Sequence, residues 1–165
     1  MKVFVISDIH IDYAENRDWL FNLSEQNYKE DVLLLGGDLT ENLKLLSDSF
    51  KSLASKFKKV LFVPGNHELW VGKEGTTHSL EKFHLVCQVA LEAGISLEPF
   101  HENNLSIVPL LGWYDFSFAE PDNMLLDTWM DFRLCRWPDG KQLSDITKFF
   151  LDRNTEHLHL SLIHI

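Results

Sequence analysis

Five side chains able to bind a metal ion or move a proton follow three short apolar runs of the sequence. They are carboxylates, imidazoles and one amide, in chain order Asp8, His10, Asp38, Asn66 and His67. The first pair follows the run KVFVIS, the single aspartate follows DVLLLGG, and the last pair follows KVLFVPG. Oxygen and nitrogen ligands without thiolate suit Mn, Fe or Zn. The pattern indicates a metal site, provided that the three run ends meet in space.

The spacing of apolar residues predicts the elements that would bring these ends together. Residues 2–7, 31–35 and 59–63 are short apolar runs typical of buried strands. Helical patterns occupy residues 14–28 and residues 43–57 between them, the second with apolar side chains every three or four positions. Alternating strands and helices predict a parallel sheet with crossover helices. The carboxyl ends of parallel strands lie at one edge, where ligands bind.

The second half of the chain is less regular. We predict a helix over residues 79–93 with Ser79 as its N-cap, an edge strand over residues 105–111, and a helix over residues 144–157. No internal repeat or linker divides the sequence. We therefore expect a single α/β domain over residues 1–165.

Each polar cluster has a plain structural explanation, but the three together suggest a division of roles. On an extended backbone, Asp8 and His10 would point to the same side and share one cation. Asp38 could offer an oxygen to each of two cations, and Asn66 a carbonyl oxygen to the second. Two divalent ions about 3.5–4 Å apart form a clamp for phosphoryl chemistry. His67 would then protonate the leaving alkoxide.

The motifs DIH, GGD and GNHE, in this order and each after an apolar strand, resemble the calcineurin-like metallophosphoesterase family over residues 1 to about 70. The resemblance implies a four-layer αββα sandwich that binds two divalent metal ions, Mn, Fe or Zn. It implies that Asp8 and His10 bind the first metal, that Asp38 bridges, that Asn66 binds the second and that His67 is the catalytic histidine. The implied reaction is hydrolysis of phosphate mono- or diesters, on a phosphorylated small-molecule or nucleotide-like substrate.

The family's later motifs, an isolated histidine and GHxH, are not found. The late histidines are His157, His159 and His164, and whether any of them is a ligand stays open. We expect a member truncated at its C-terminus, with residues 158–165 as a non-native tail. The alternative function is a non-catalytic or inactive fragment of the same fold acting as an interaction module.

Composition narrows the partners and the compartment. A formal net charge of −10 disfavours broad attraction to nucleic acid or anionic lipid. Cys87 and Cys135 form no disulfide framework, which indicates a reducing compartment. The apolar N-terminal run is too short for a signal peptide or a membrane span. We therefore predict a cytoplasmic protein without a membrane partner, whereas the substrate and the oligomeric state stay open.

Overall fold

A three-stranded parallel sheet forms the centre of the protein. The structure, a computed structural model, describes residues 1–72 and 77–162. The strands lie in chain order and are β1 (Val3–Ile6), β2 (Val32–Leu35) and β3 (Lys59–Phe62). Val32 is in register with Val3 on one side and with Lys59 on the other. The three predicted strands and their parallel arrangement are confirmed, and all three carboxyl ends lie at one edge.

Three helices in the first part of the chain pack with this sheet: α1 (Ala14–Phe21), α2 (Leu43–Lys56) and α3 (Ser79–Glu92). α1 is shorter than the helix predicted over residues 14–28. The Ser24 hydroxyl accepts the N–H groups of Gln26 and Asn27 beyond its end, an alternative to helical bonding for the backbone. α2 begins as its pattern predicts, with the Asn42 side chain accepting the N–H of Leu45 at 2.8 Å.

The predicted N-cap of α3 was wrong by one residue. His78 is the cap, and its Nδ1 accepts the N–H of Glu81 at 3.1 Å. Ser79 is fully buried instead, where its hydroxyl donates to the carbonyl of Leu69 and accepts the N–H of Arg136. This side chain therefore ties α3 to two other segments rather than capping the helix.

One apolar core lies between the sheet and these helices. Its buried members come from β2, β3, all three helices and the loops after β1 and β2, and include Leu20, Leu35, Leu46, Phe50, Leu53, Phe62 and Val86. Burying such side chains contributes about 1.5–3 kcal/mol each. The outer face of β1 is less covered, since Val5 is 74% exposed. The sheet is therefore anchored on the face that carries the crossover helices.

Two strands and three helices follow α3 among the described residues. They are the antiparallel pair β4 (Phe100–Glu102) and β5 (Leu105–Ile107), followed by α4 (Asn123–Thr128), α5 (Met130–Leu134) and α6 (Leu143–Leu162). A second, smaller core involves α3 and α6 and contains Leu69, Phe83, Cys135, Ile146 and Phe150. Within the described residues, these strands and helices and a 3-10 turn at His67–Leu69 make an α/β fold, which confirms the predicted class.

Two boundaries in this part of the chain differ from prediction. The strand expected over residues 105–111 ends at Ile107, shortly before Pro109, which has no N–H for a ladder. The last helix extends beyond the predicted residues 144–157 on both sides, so residues 158–162 of the expected tail continue α6. The rest of that tail lies outside the described residues. Among the described helices, none is both long and apolar enough to cross a membrane.

Candidate metal centre

The chain leaves the extended conformation directly after β1 and β2. Asp8, His10 and Asp38 have φ angles of 55°, 47° and 54°. The expectation that Asp8 and His10 share an extended backbone is therefore wrong. The two turns are instead paired, with the N–H of His10 donating to the carbonyl of Asp38 at 3.0 Å. Left-handed conformations are rare for residues other than glycine and gather at functional sites.

His10, Asp38 and His67 meet at this edge of the sheet. One potential ligand atom of each lies within 4.8 Å of the others, and all three side chains are partly buried. The imidazoles of His10 and His67 stand edge to face with ring centroids 4.6 Å apart, and Oδ1 of Asp38 accepts the N–H of His67 at 3.1 Å. Two imidazoles and a carboxylate form a donor set that fits Mn, Fe or Zn.

The other two predicted ligands are Asp8 and Asn66. Asp8 is exposed and is not one of the three residues that meet, among the part of the chain that the structure describes. Asn66 is partly buried and directly precedes His67. Each of them is thus a close neighbour in sequence of one histidine of the cluster.

Two glycines allow the close approach of the turns. A Cβ on Gly65 would lie 2.1 Å from Oδ1 of Asp38, and a Cβ on Gly37 would lie 2.2 Å from the nitrogen of Gly65. Gly37 also has a φ of +76°, which glycine adopts without strain. Gly65 is therefore needed because the Asp38 carboxylate lies against its backbone, and Gly37 because the backbone of Gly65 lies against it.

Glu68 is a buried clamp that the sequence reasoning did not single out. Its side chain is fully buried and accepts backbone N–H groups from Asp38 at 2.9 Å, Leu39 at 2.7 Å and Gly65 at 2.8 Å. Burial raises the pKa of Glu68, and these hydrogen bonds offset part of the rise. In the sequence, the only sign of this role is that Glu68 is the last residue of the GNHE motif.

The side-chain amide of Asn66 is hydrogen-bonded to a residue 65 positions later in the chain. Its Nδ2 donates to Oδ1 of Asp131 at 2.7 Å, and the indole Nε1 of Trp70 donates to the same oxygen at 2.7 Å. The Tyr114 hydroxyl donates to Oδ2 of Asp131 at 2.5 Å. Asp131 is only 2% exposed. The stretch WMDFRLCRWP that contains it matches none of the three motifs that predicted the site.

The imidazole of His67 is confined by its neighbours. The Trp70 ring lies against it with centroids 3.6 Å apart. Burial lowers the pKa of His67, whereas the Asp38 carboxylate raises it in part. The ring therefore has a restricted position, and burial and the carboxylate act on its pKa in opposite directions.

A cleft of about 830 Å³ opens beside Asn66. Six aromatic residues line it: Trp113, Tyr114, Phe116, Phe118, Trp129 and Phe132. Trp113 and Trp137 pack edge to face, with ring centroids 5.2 Å apart, against the second core. Trp129 is 51% exposed and donates from Nε1 to the Tyr114 hydroxyl. Flat apolar walls beside a polar cluster are typical of ligand sites.

The late histidines lie apart from the cluster as far as they are described. His157 and His159 are on α6, and Nδ1 of His157 lies 2.9 Å from the carbonyl oxygen of Pro109. Among residues 1–72 and 77–162, neither histidine belongs to the cluster of His10, Asp38 and His67. His164 lies outside the described residues.

Comparison with known proteins identifies the family. A family model of calcineurin-like phosphoesterases matches residues 1–159, and the chain belongs to this family. It is 28% identical over 126 residues to an acyl-carrier-protein phosphodiesterase, PptH, of Mycobacterium tuberculosis, covering 70% of this chain and 38% of that protein. It is 30% identical over 132 residues to an uncharacterized metallophosphoesterase of Helicobacter pylori, covering 77% of this chain and 33% of that protein.

A solved structure supports the fold. The crystal structure of phosphopantetheinyl hydrolase PptH from Mycobacterium tuberculosis matches with a TM-score of 0.77 at 22% identity, over 95% of this chain and 62% of that one. The predicted metallophosphoesterase fold is thus confirmed. The chain spans a little over a third of the length of one curated relative and a third of the other.

Proposed function

We propose that this chain belongs to a hydrolase of phosphate esters that works with two divalent metal ions. The observation that carries the proposal is the meeting of His10, Asp38 and His67 at the carboxyl edge of a parallel sheet, in a metallophosphoesterase chain. The imidazole of His10 and the carboxylate of Asp38 are ligand types that fit Mn, Fe or Zn, and His67 lies beside them without binding metal in this proposal. The interaction module considered from the sequence is not favoured, because this cluster and the family match both point to hydrolysis.

In this proposal, Asp8 and His10 would hold the first metal, Asp38 would bind both, and the carbonyl oxygen of Asn66 would hold the second. The Asp38 carboxylate is oriented by the N–H of His67, which binds Oδ1. The two metal ions, when bound, would polarise the phosphate and activate water. The residues themselves contribute a fixed geometry, which the paired turns and the Glu68 clamp maintain.

His67 is the proposed proton donor to the leaving oxygen. Its ring lies in the same cluster as His10 and Asp38, so it is within reach of an ester held there. Trp70 restricts the imidazole on one side. A positioned histidine can contribute about 10²–10⁴-fold to such a step.

A phosphodiester with an extended organic group is the substrate class that we propose. The Mycobacterium tuberculosis relative is named a phosphodiesterase of acyl carrier protein, and the aromatic cleft beside Asn66 offers room for an organic group.

Cys87 and Cys135 are both free thiols, which supports the proposed reducing, cytoplasmic location.

Hydrolysis of bis(4-nitrophenyl) phosphate with and without Mn²⁺ tests the function. We expect Mn²⁺-dependent release of nitrophenol by the full chain, and its loss in Asp38→Asn. Asp48→Asn is the matched control, because Asp48 is an exposed partner of Lys44 on α2. Activity that does not depend on Mn²⁺, no activity, or equal rates in Asp38→Asn and the control would contradict the proposal.

A further inference from the structure

Asp131, at the start of α5, is a buried carboxylate at the back of the candidate metal centre. It is 2% exposed and accepts hydrogen bonds from three neutral donors: the Asn66 amide, the Trp70 indole and the Tyr114 hydroxyl. Burying a carboxylate is costly unless its oxygens are hydrogen-bonded. This buried carboxylate is hydrogen-bonded to Asn66, a proposed metal ligand that is 65 residues away in the chain.

The bond to Asn66 selects one of two orientations of an amide. An ionised carboxylate only accepts hydrogen bonds, so it binds the NH₂ end of Asn66 and repels the carbonyl end. With Nδ2 held 2.7 Å from Asp131, Oδ1 of Asn66 points away from the carboxylate. Only this orientation offers an oxygen, rather than an NH₂ group, to a cation.

We propose that Asp131 is a positioning residue that fixes the Asn66 amide so that its oxygen is available to the metal. The inference rests on the proposed function, in which Asn66 is a ligand. Partners that orient a metal ligand from behind commonly change metal affinity about 10–100-fold when they are removed.

The same carboxylate also anchors the surface on which His67 rests. Oδ1 accepts the indole N–H of Trp70 in addition to the Asn66 amide, and the Trp70 ring lies 3.6 Å from the His67 ring, centroid to centroid. One oxygen atom therefore links the positions of the proposed ligand and of the proposed proton donor.

The opposite oxygen prevents the carboxylate from turning. Oδ2 accepts the Tyr114 hydroxyl, which itself accepts the indole N–H of Trp129 at 2.9 Å. Because both oxygens are engaged from different sides, the carboxylate keeps the orientation that Asn66 requires. This second bond also suggests a conservative replacement, since a tyrosine hydroxyl can accept as well as donate.

Mn²⁺ affinity, measured by electron paramagnetic resonance of the free ion, tests the inference. We expect Asp131→Leu, which has a similar size but no acceptor, to weaken binding about 10–100-fold. We expect Asp131→Asn to retain affinity within about threefold, because its carbonyl can accept from Asn66 while its NH₂ faces Tyr114. Asp127→Asn, at an exposed position of α4, is the control. Equal losses in Asp131→Asn and Asp131→Leu would overturn the inference.

A double-mutant cycle separates positioning from general damage. If Asp131 acts through Asn66, Asp131→Leu should cause no further loss of Mn²⁺ affinity once Asn66→Ala is present. Multiplicative losses in the double variant would mean that Asp131 affects the metal by another route and would overturn the inference.

A measurement without metal keeps the inference testable if the wild-type chain binds no Mn²⁺ or if Asp131→Leu does not fold. In the metal-free wild type, a side-chain amide proton of Asn66 should exchange with solvent at least tenfold more slowly than those of the exposed Asn104. Equal exchange would overturn the positioning role. Absent Mn²⁺ binding with slow Asn66 exchange would instead contradict the proposed function alone.

Discussion

The Glu68 carboxylate holds Asp38 through the backbone N–H of Asp38, and not through the Asp38 side chain. Oε2 of Glu68 accepts the N–H of Asp38 at 2.9 Å and that of Gly65 at 2.8 Å, while Oε1 accepts the N–H of Leu39 at 2.7 Å. One buried carboxylate thus joins the turn after β2 to the turn after β3. The proposed bridging aspartate keeps its left-handed backbone because this neighbour fixes the amides around it.

We expect Glu68→Gln to lower the free energy of unfolding by about 1–3 kcal/mol, because the new NH₂ group must face at least one buried N–H donor. Urea unfolding followed by tryptophan fluorescence measures the change. Glu156→Gln, at an exposed position of α6, is the control and should unfold as the wild type does. The clamp role is refuted if both variants have the same midpoint.

Gly65→Ala should disturb the same junction from the other side. The added methyl group would meet Oδ1 of Asp38 at 2.1 Å, so we expect a loss of about 1–3 kcal/mol from overpacking and weaker Mn²⁺ binding. Gly72→Ala is the matched control, since a Cβ there meets nothing within 4 Å. Thermal unfolding and Mn²⁺ titration of both variants test this. Equal behaviour would show that Asp38 does not depend on the gap at Gly65.

The sequence predicted well where local patterns and sheet geometry were sufficient. The strands after which Asp38 and His67 occur are short, apolar and separated by helical patterns, so their parallel pairing and common edge could be inferred. The backbone conformation was not predicted where the chain turns after a strand. Asp8 and His10 adopt positive φ because they pair with the turn after β2, and no rule based on their own spacing contains that partner.

The contribution of Asp131 could not be predicted for a different reason. It depends on a contact between residues 65 positions apart, and Asp131 lies on a helix of five residues whose local pattern contains no ligand motif. Periodicity indicates which face of an element is buried but not which polar group it meets. Glu68 is the intermediate case, because its motif was visible in the sequence while its backbone hydrogen-bond partners were not.

The two cysteines should be unreactive in the folded protein. Burial raises the pKa of the Cys87 thiol to about 11 and that of Cys135 to about 12, and the thiolate is the reactive form. We expect iodoacetamide at pH 8 to modify both at least tenfold more slowly than in urea, as measured by mass spectrometry. Equal rates would contradict the burial of the thiols.

The same pKa shifts predict a loss of stability at alkaline pH. Because the folded-state pKa of each thiol exceeds its usual value of 9.0, the folded state favours the neutral form. That contribution is fully present below about pH 9 and is lost as the pH rises through about 11 for Cys87. Urea midpoints between pH 8 and pH 11 should fall less in Cys87→Ala than in the wild type. Parallel curves would contradict this linkage.

Trp70 should control the protonation of His67 through burial. Burial is the main cause that lowers the pKa of His67 below 6.5, and the Trp70 ring lies against the imidazole. In the metal-free protein we expect Trp70→Leu to raise the pKa of His67 toward 6.5, whereas Trp70→Phe retains an aromatic ring at the same place and should change it less. An NMR titration of the His67 ring protons distinguishes the two variants. If Trp70→Leu left the pKa of His67 unchanged, the shift would have to arise from other neighbours, and Trp70 would only carry the link to Asp131.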